Sequence, residues 1–148
     1  VMNTRKKNER IMRVKKMNAV LRKLYPVAKI ALNYSNPWEL MVAVQLSAQC
    51  TDMRVNQVTE KLFKKYKNVG EYARAKPGEF ERDIFSCGFY RNKARNIIGA
   101  AKMIEKEFGG MVPATMTELL KLPGVARKTA NVVLSNLYEI AEGVAVDT

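Results

Sequence analysis

Apolar residues recur three and four positions apart along most of this chain, which is the spacing of α-helices with one buried face. The clearest examples lie in the ranges 5–24, 89–108 and 127–140. The range 38–48 is apolar on nearly every side, which predicts a central helix that is buried all round. No stretch alternates between apolar and polar residues as a half-buried strand would. The pattern therefore predicts an all-α fold.

Start and stop signals divide this pattern into separate helices. Asn36 followed by Pro37 is typical of an N-cap and a first helical position. Thr115 and Glu118 have the spacing of a capping box, which opens another helix. Between these signals we expect helices over roughly 52–66, over 69–87 with a break at Pro77, and over 89–108. Before Asn36 we expect a short helix that follows Pro26 and reaches Tyr34.

The segment after this capping box combines a tight turn, an amine and a carboxylate. Pro123 and Gly124 separate two helical segments, and the backbone N–H groups exposed at such a turn can hold a phosphate. Lys128 lies in the first turn of the second helix, where its amine can act as a nucleophile. Asp147 follows after a loop. An enzyme that removes bases from DNA needs such a phosphate clamp, nucleophile and acid.

These residues resemble the endonuclease III family of helix-hairpin-helix DNA glycosylases. Four blocks in family order, within roughly residues 30–148, carry the resemblance: Asn36 to Leu40, Leu46 to Asp52, Gly88 to Ala94, and Lys128 to Leu134. The resemblance implies a helix-hairpin-helix glycosylase fold with a six-helix barrel domain over 36–136. The ranges 1–35 and 137–148 would then belong to a second, partial helical domain.

The resemblance also implies an activity in base excision repair. Such an enzyme removes oxidised or ring-saturated pyrimidines from duplex DNA and cuts the strand at the abasic site. Lys128 is implied as the amine that attacks the sugar C1′ and forms a Schiff base. Asp147 is implied as the carboxylate that stabilises positive charge on the sugar. Without the resemblance, Lys128 is an ordinary solvated lysine and Asp147 a capping or loop residue.

Two alternatives stay open at this point. A glycosylase of the same fold could act on another lesion, such as a mismatched thymine, but we would then expect an aromatic residue in place of Lys128. A truncated, non-catalytic DNA-binding module would keep the hairpin and the basic charge without turnover.

The resemblance assigns further residues to DNA contact. Gln49 would fill the gap left by the flipped-out nucleotide, and Phe89 would wedge between base steps. The simpler alternatives are a helix-terminal polar residue for Gln49, a core residue for Phe89 and a solvated charge for each basic residue. Ala126 stands where the family often has a second glycine, and we expect it to preserve the approach of phosphate. The complete set is Gln49, Phe89, Tyr90, Arg91, Lys93, Leu122, Gly124, Ala126, Arg127 and Thr129.

The charge of the chain agrees with a polyanionic partner. Lys and Arg number 26 against 14 Asp and Glu, a formal net charge of +12. Nine basic residues and one acid lie between Arg5 and Lys23. Such an excess favours duplex DNA through counterion release, although a basic protein without a nucleic-acid partner has the same composition. No apolar run is long enough for a membrane span, so we expect a cytoplasmic protein with no membrane partner.

Cysteine and histidine usage limits metal chemistry. The sequence has two cysteines, Cys50 and Cys87, and no histidine. This excludes catalysis by histidine and a four-thiolate site within the chain, so we expect neither a metal site nor a cofactor here. The full-length family is expected to carry a 4Fe–4S cluster on four further cysteines. Together with a first residue other than methionine, this suggests a fragment of a longer protein.

Overall fold

The structure, a computed structural model, describes residues 4–145 apart from the side chain of Arg5. Every regular element in this range is helical, so the all-α prediction is confirmed. The elements are α1 (Thr4–Leu24), α2 (Pro37–Ser47), α3 (Asp52–Lys65), α4 (Val69–Ala73), α5 (Pro77–Asp83), a 3-10 turn (Phe85–Cys87), α6 (Tyr90–Phe108), α7 (Met116–Leu119) and α8 (Arg127–Leu137).

The chain divides into two compact units, residues 1–30 and residues 31–148. The first unit contains α1, whose described side chains are exposed on the basic and the apolar faces alike. Ile11 is 43% exposed and Leu24 is 65% exposed. The domain limits that we predict at residues 35 and 136 stay predictions.

The short helix predicted after Pro26 is wrong, because residues 25–36 contain no helix. Proline lacks an N–H and disfavours helical backbone at the residue before it. Asn56 in α3 fixes the part of this segment that belongs to the second unit. Its side chain accepts the Asn33 N–H at 2.9 Å and donates to the Ala31 carbonyl at 2.9 Å.

Helix α2 is the centre of the second unit. It begins where the sequence predicts, since the Asn36 side chain accepts the Glu39 N–H at 2.9 Å and Pro37 takes the first helical position. Leu40, Met41 and Leu46 are fully buried. α2 packs against α3, α6 and α8. Its C-terminal end lies close to the start of α6, where Lys93 contacts the Leu46 carbonyl, and close to the turn before α8, where Gly124 faces Gln45.

An aromatic cluster joins α4 and α5, the two helices that flank α6, to neighbouring elements. The rings of Tyr66, Tyr72 and Phe80 lie 5.1–5.7 Å apart, and the Trp38 ring meets Tyr72 edge-on at 5.3 Å. α4 and α5 both pack against α6. Gly109 ends α6 in a left-handed conformation, as its position predicts. α6 is therefore held within the second unit along α4 and α5.

Candidate nucleic-acid interface

The turn between α7 and α8 is built as a compact hairpin. The Thr115 side chain caps α7 by accepting the Glu118 N–H at 3.3 Å, which confirms the predicted start of this helix. The Thr115 hydroxyl donates to the Glu118 carboxylate at 2.6 Å, whereas in a full capping box this carboxylate accepts the N-cap backbone N–H. Buried Leu122 anchors the turn in the core. The Val125 N–H then donates to the Leu122 carbonyl at 3.1 Å, which closes the turn around Gly124.

Gly124 needs to be a glycine for two separate reasons. Its φ of +76° lies in the left-handed region. A Cβ at this position would lie 2.7 Å from the Gln45 Oε1 and 2.8 Å from the Asn96 Cβ. Pro123 also packs against α6, where a Cβ on Gly99 would come within 3.3 Å of its ring. The hairpin backbone is thus seated directly on α2 and α6.

The first turn of α8 presents polar groups outward. Ala126 is the N-cap and provides no side-chain hydrogen bond, so no capping side chain covers the N-terminal N–H groups. Its φ of −96° is ordinary extended backbone, which means that a second glycine is not required here. Arg127 and Lys128 are exposed, and Thr129 is half-buried. A helix N-terminus of this kind suits a phosphate oxygen.

Gln49 and Phe89 occupy two loops at the C-terminal end of α2 and the N-terminal end of α6. Both residues are exposed, Phe89 by 65%, so the core alternative for Phe89 is excluded. Both also adopt left-handed backbone, with φ of 53° and 45°. Residues other than glycine rarely adopt this conformation, and those that do cluster at functional sites.

These two loops and the hairpin border one cavity. It has a volume of about 280 Å³, and its lining includes Gln45, Gln49, Phe89, Lys93, Asn96 and Gly124. We call it the recognition cavity. The structure thus brings together the expected plug residue, the expected wedge residue and the expected phosphate clamp.

The expectation that Lys93 contacts phosphate is wrong for this structure. Lys93 is only 7% exposed, and its ammonium donates to the carbonyls of Leu46, Ala48 and Cys87 at 2.8, 2.8 and 2.7 Å. An ammonium has three N–H donors, so none is left for DNA. Burial lowers the pKa of Lys93 from its ordinary value, and the nearby thiols of Cys87 and Cys50 act in the opposite direction.

Tyr90 and Arg91 directly follow Phe89, the expected wedge residue. The Tyr90 ring packs on Phe85 with 4.9 Å between centroids, and the Arg91 guanidinium lies over the Tyr90 ring at 5.6 Å from its centroid. Tyr90 is half-buried, whereas Arg91 is exposed and available to a phosphate. Tyr90 therefore supports the loop more than it projects from it.

Asp147 lies outside the described residues, so its distance from Lys128 is not part of the structure. Four residues of the recognition cavity were not expected from the sequence, namely Gln45, Ala48, Asn92 and Asn96. The signal for Gln45 was a lone polar residue in the otherwise apolar middle of α2. The amide atoms of Gln45 are buried without a hydrogen-bond partner among the described residues.

Comparison with known proteins agrees with this geometry. A sequence profile described as "HhH-GPD superfamily base excision DNA repair protein" matches residues 42–148. The chain belongs to this superfamily. Our expectation of a helix-hairpin-helix protein of the endonuclease III family is therefore confirmed.

Two curated relatives are similar to this chain over most of its length. Endonuclease III of Synechocystis sp. is 55% identical over 129 residues, which are 87% of this chain and 59% of that protein. Endonuclease III of Bacillus subtilis is 53% identical over 125 residues, which are 84% of this chain and 57% of that protein. The chain thus spans less than two thirds of the length of these relatives.

Solved structures are similar to this chain over most of its length. A non-covalent endonuclease III–DNA complex superposes with a TM-score of 0.86 at 46% identity, and the match covers 93% of this chain and 64% of that one. A trapped covalent endonuclease III–DNA intermediate gives a TM-score of 0.87 over the same shares. A thermostable thymine-DNA glycosylase, at 21% identity and a TM-score of 0.80, shares the fold.

The cysteines of this HhH-GPD chain do not fit an iron–sulfur cluster. Cys50 and Cys87 are free thiols, and they are the two cysteines in the sequence. Within residues 4–145, no group of three or more His, Cys, Asp and Glu side chains could hold a metal ion. A four-thiolate cluster needs twice as many cysteines. In the same range, no helix is both long and apolar enough to cross a membrane.

Proposed function

We propose that this chain is a bifunctional DNA glycosylase and abasic-site lyase that removes oxidised pyrimidines from duplex DNA. The observation that carries the proposal is the recognition cavity, where exposed Gln49, exposed Phe89 and the hairpin glycine meet. The exposed amine of Lys128 stands at the start of the helix that this hairpin introduces. The likeness to endonuclease III proteins that were solved with DNA supports the same assignment.

In this proposal, duplex DNA lies across the recognition cavity. Phosphates contact the hairpin backbone and the exposed guanidinium groups of Arg91 and Arg127. The damaged nucleotide rotates out of the stack, Gln49 fills the gap that it leaves, and Phe89 wedges into the neighbouring base step. The net charge of +12 adds long-range attraction for the polyanion.

The chemistry assigned to Lys128 needs no redox partner. Its neutral amine nitrogen forms a bond to the sugar C1′ as the N-glycosidic bond breaks, and the departing base keeps the electron pair and takes up a proton. Opening of the sugar ring and loss of an amine proton give the Schiff base. Removal of a C2′ proton then breaks the C3′–O bond and releases the strand on the 3′ side with a 5′ phosphate, and water hydrolyses the imine that remains on the unsaturated sugar. Asp147 would stabilise the positive charge on the sugar during the first step.

Borohydride trapping tests this assignment. Borohydride reduces the imine and leaves a covalent protein–DNA band when the chain is mixed with duplex that carries an abasic site. We expect Lys128→Gln to lose the band while keeping its affinity for DNA, because other groups hold the phosphates. Lys121→Gln removes another exposed lysine of the hairpin and is the matched control.

The outcomes separate three possibilities. A band of undiminished intensity from Lys128→Gln would assign the chemistry to another amine. A wild-type chain that binds abasic duplex and gives no band would support the non-catalytic DNA-binding module. Turnover on a mismatched thymine but not on an oxidised pyrimidine would favour the other lesion class.

Three further features belong to this proposal. We expect cytoplasmic action on chromosomal DNA, where the substrate lies. We expect residues 36–136 to act as the barrel domain, with residues 1–35 and 137–148 contributing to a second one. An iron–sulfur cluster in longer members of the family would have to take its four thiolates from outside this sequence.

A further inference from the structure

We propose that Lys93 is a positioning residue for lesion recognition, which holds the Gln49 loop and the Phe89 loop at a fixed separation without touching DNA. The inference rests on the proposed function. It assigns a role to a buried cation that the catalytic steps do not use.

The first argument is that the Lys93 ammonium contacts carbonyl oxygens of both loops. Two of its acceptors, the carbonyls of Leu46 and Ala48, belong to the C-terminal end of α2, directly before Gln49. The third, the carbonyl of Cys87, lies two residues before Phe89. One nitrogen therefore connects both loops, at 2.7–2.8 Å from each oxygen.

The second argument is the backbone that these contacts maintain. Gln49 and Phe89 both have positive φ, at 53° and 45°. Side chains other than glycine hold such a conformation only where the surroundings determine it. The Lys93 contacts stand one residue before Gln49 and two residues before Phe89, so they fix the directions in which the two side chains leave the surface.

The third argument is the choice of a cation. The last carbonyls of a helix have no partner within the helix and carry the negative end of its dipole. A buried ammonium satisfies such carbonyls and is attracted by them, whereas an apolar residue would leave all three oxygens without this donor, two of them in buried surroundings. The thiols of Cys50 and Cys87 are the other titratable groups that interact with it.

A solely structural lysine would give a different result in a binding assay. Loss of such a lysine lowers the stability of the unit, yet the fraction that stays folded recognises DNA normally. Loss of a positioning residue changes discrimination in the folded protein. The two roles are therefore separated by the preference for abasic over intact duplex, measured below the melting temperature of every variant.

The experiment uses the whole chain and a duplex with a stable abasic-site analogue. Lys93→Met keeps a long side chain and removes the donors. Lys102→Met removes an exposed cation from the same helix and controls for charge. The preference is the ratio of Kd for intact duplex to Kd for abasic duplex, measured at several salt concentrations. We expect Lys93→Met to lower this ratio by roughly 10- to 100-fold, the scale on which a small misplacement of working groups acts.

Two controls make the result specific. The salt slope should stay unchanged, whereas loss of a direct phosphate contact would reduce it by about 0.9. Gln49→Ala with Phe89→Ala should lower the ratio as well, and adding Lys93→Met to that pair should lower it no further. Strictly additive losses, or a reduced slope, would overturn the inference.

A measurement on the wild-type chain covers the case in which Lys93→Met does not fold. In ¹⁵N-lysine-labelled protein, the Lys93 ammonium protons should exchange slowly in the free and the DNA-bound states. Fast exchange in either state would show that the ammonium is not held by the three carbonyls and would overturn the inference. A wild-type chain without preference for abasic duplex would refute the proposed function, whereas full preference in folded Lys93→Met refutes only the role of Lys93.

Discussion

Gly124→Ala is expected to be among the most damaging single-methyl additions in this chain. Two costs combine at this position. The left-handed backbone at φ +76° costs alanine about 1–2 kcal/mol. The new Cβ would also lie 2.7 Å from the Gln45 Oε1 and 2.8 Å from the Asn96 Cβ, and overpacking of this kind costs about 1–3 kcal/mol. The expected loss in the free energy of unfolding is therefore about 2–5 kcal/mol.

Two other glycines separate these costs experimentally. Gly109 has φ +59° and open space around a Cβ, so Gly109→Ala should lose only the backbone share of about 1–2 kcal/mol. Gly78 has neither a positive φ nor a close neighbour, and it lies in the first turn of α5. Gly78→Ala should be neutral or stabilise the chain by about 0.5–1 kcal/mol.

Urea unfolding followed by fluorescence measures all three variants. Trp38 is the single tryptophan and is 5% exposed, so its emission reports on the second unit. Midpoints are compared at equal m-value. Gly124→Ala should also weaken binding to DNA, because the hairpin moves away from α2 and α6. If Gly124→Ala lowers the free energy of unfolding no more than Gly109→Ala does, then Gln45 and Asn96 move aside without strain. The close packing of the hairpin against them would then contribute nothing to stability.

Three further outcomes are expected. Arg127→Ala should reduce the salt slope of DNA binding by about 0.9, since one phosphate contact is lost, and an unchanged slope would remove Arg127 from the clamp. Gln49→Ala should lower the preference for abasic over intact duplex in a fluorescence binding titration while that slope stays constant. Iodoacetamide at neutral pH should label half-buried Cys50 before Cys87 in a peptide map, because Cys87 is 1% exposed and burial raises its pKa to about 12. Faster labelling of Cys87 would show that the loop carrying Phe89 opens and exposes this thiol.

The main helices could be predicted because their signals are local. The side chains of Asn36 and Thr115 make the cap contacts that their spacing indicates, and Gly109 ends α6 where a left-handed residue is needed. The segment after Pro26 could not be predicted in this way. Its conformation depends on Asn56, a residue of another helix, through two hydrogen bonds that no local pattern contains.

The candidate site was predictable in its members and less so in their roles. Four of the expected residues, Gln49, Phe89, Lys93 and Gly124, line the recognition cavity, but the contact with DNA that the resemblance implied for Lys93 does not fit its burial. Its spacing pointed the other way, because Lys93 precedes Ile97 by one helical turn and so shares the buried face of α6. The apolar pattern of α8 likewise misplaces Asn131. Ala130, Val133 and Leu134 define the predicted buried face, yet Asn131 outside that face is only 7% exposed.

The contacts of Lys93 also have a topological consequence. They close a loop that leaves α2 at Ala48, runs through α3, α4 and α5, and returns at Cys87. Because both ends of this loop meet at one nitrogen, its length does not enter the distance between Gln49 and Phe89. Changes of length at the connections between the three intervening helices would therefore leave the footprint on DNA unaltered, provided that these helices keep their packing on α2 and α6 and that a lysine continues to close the loop.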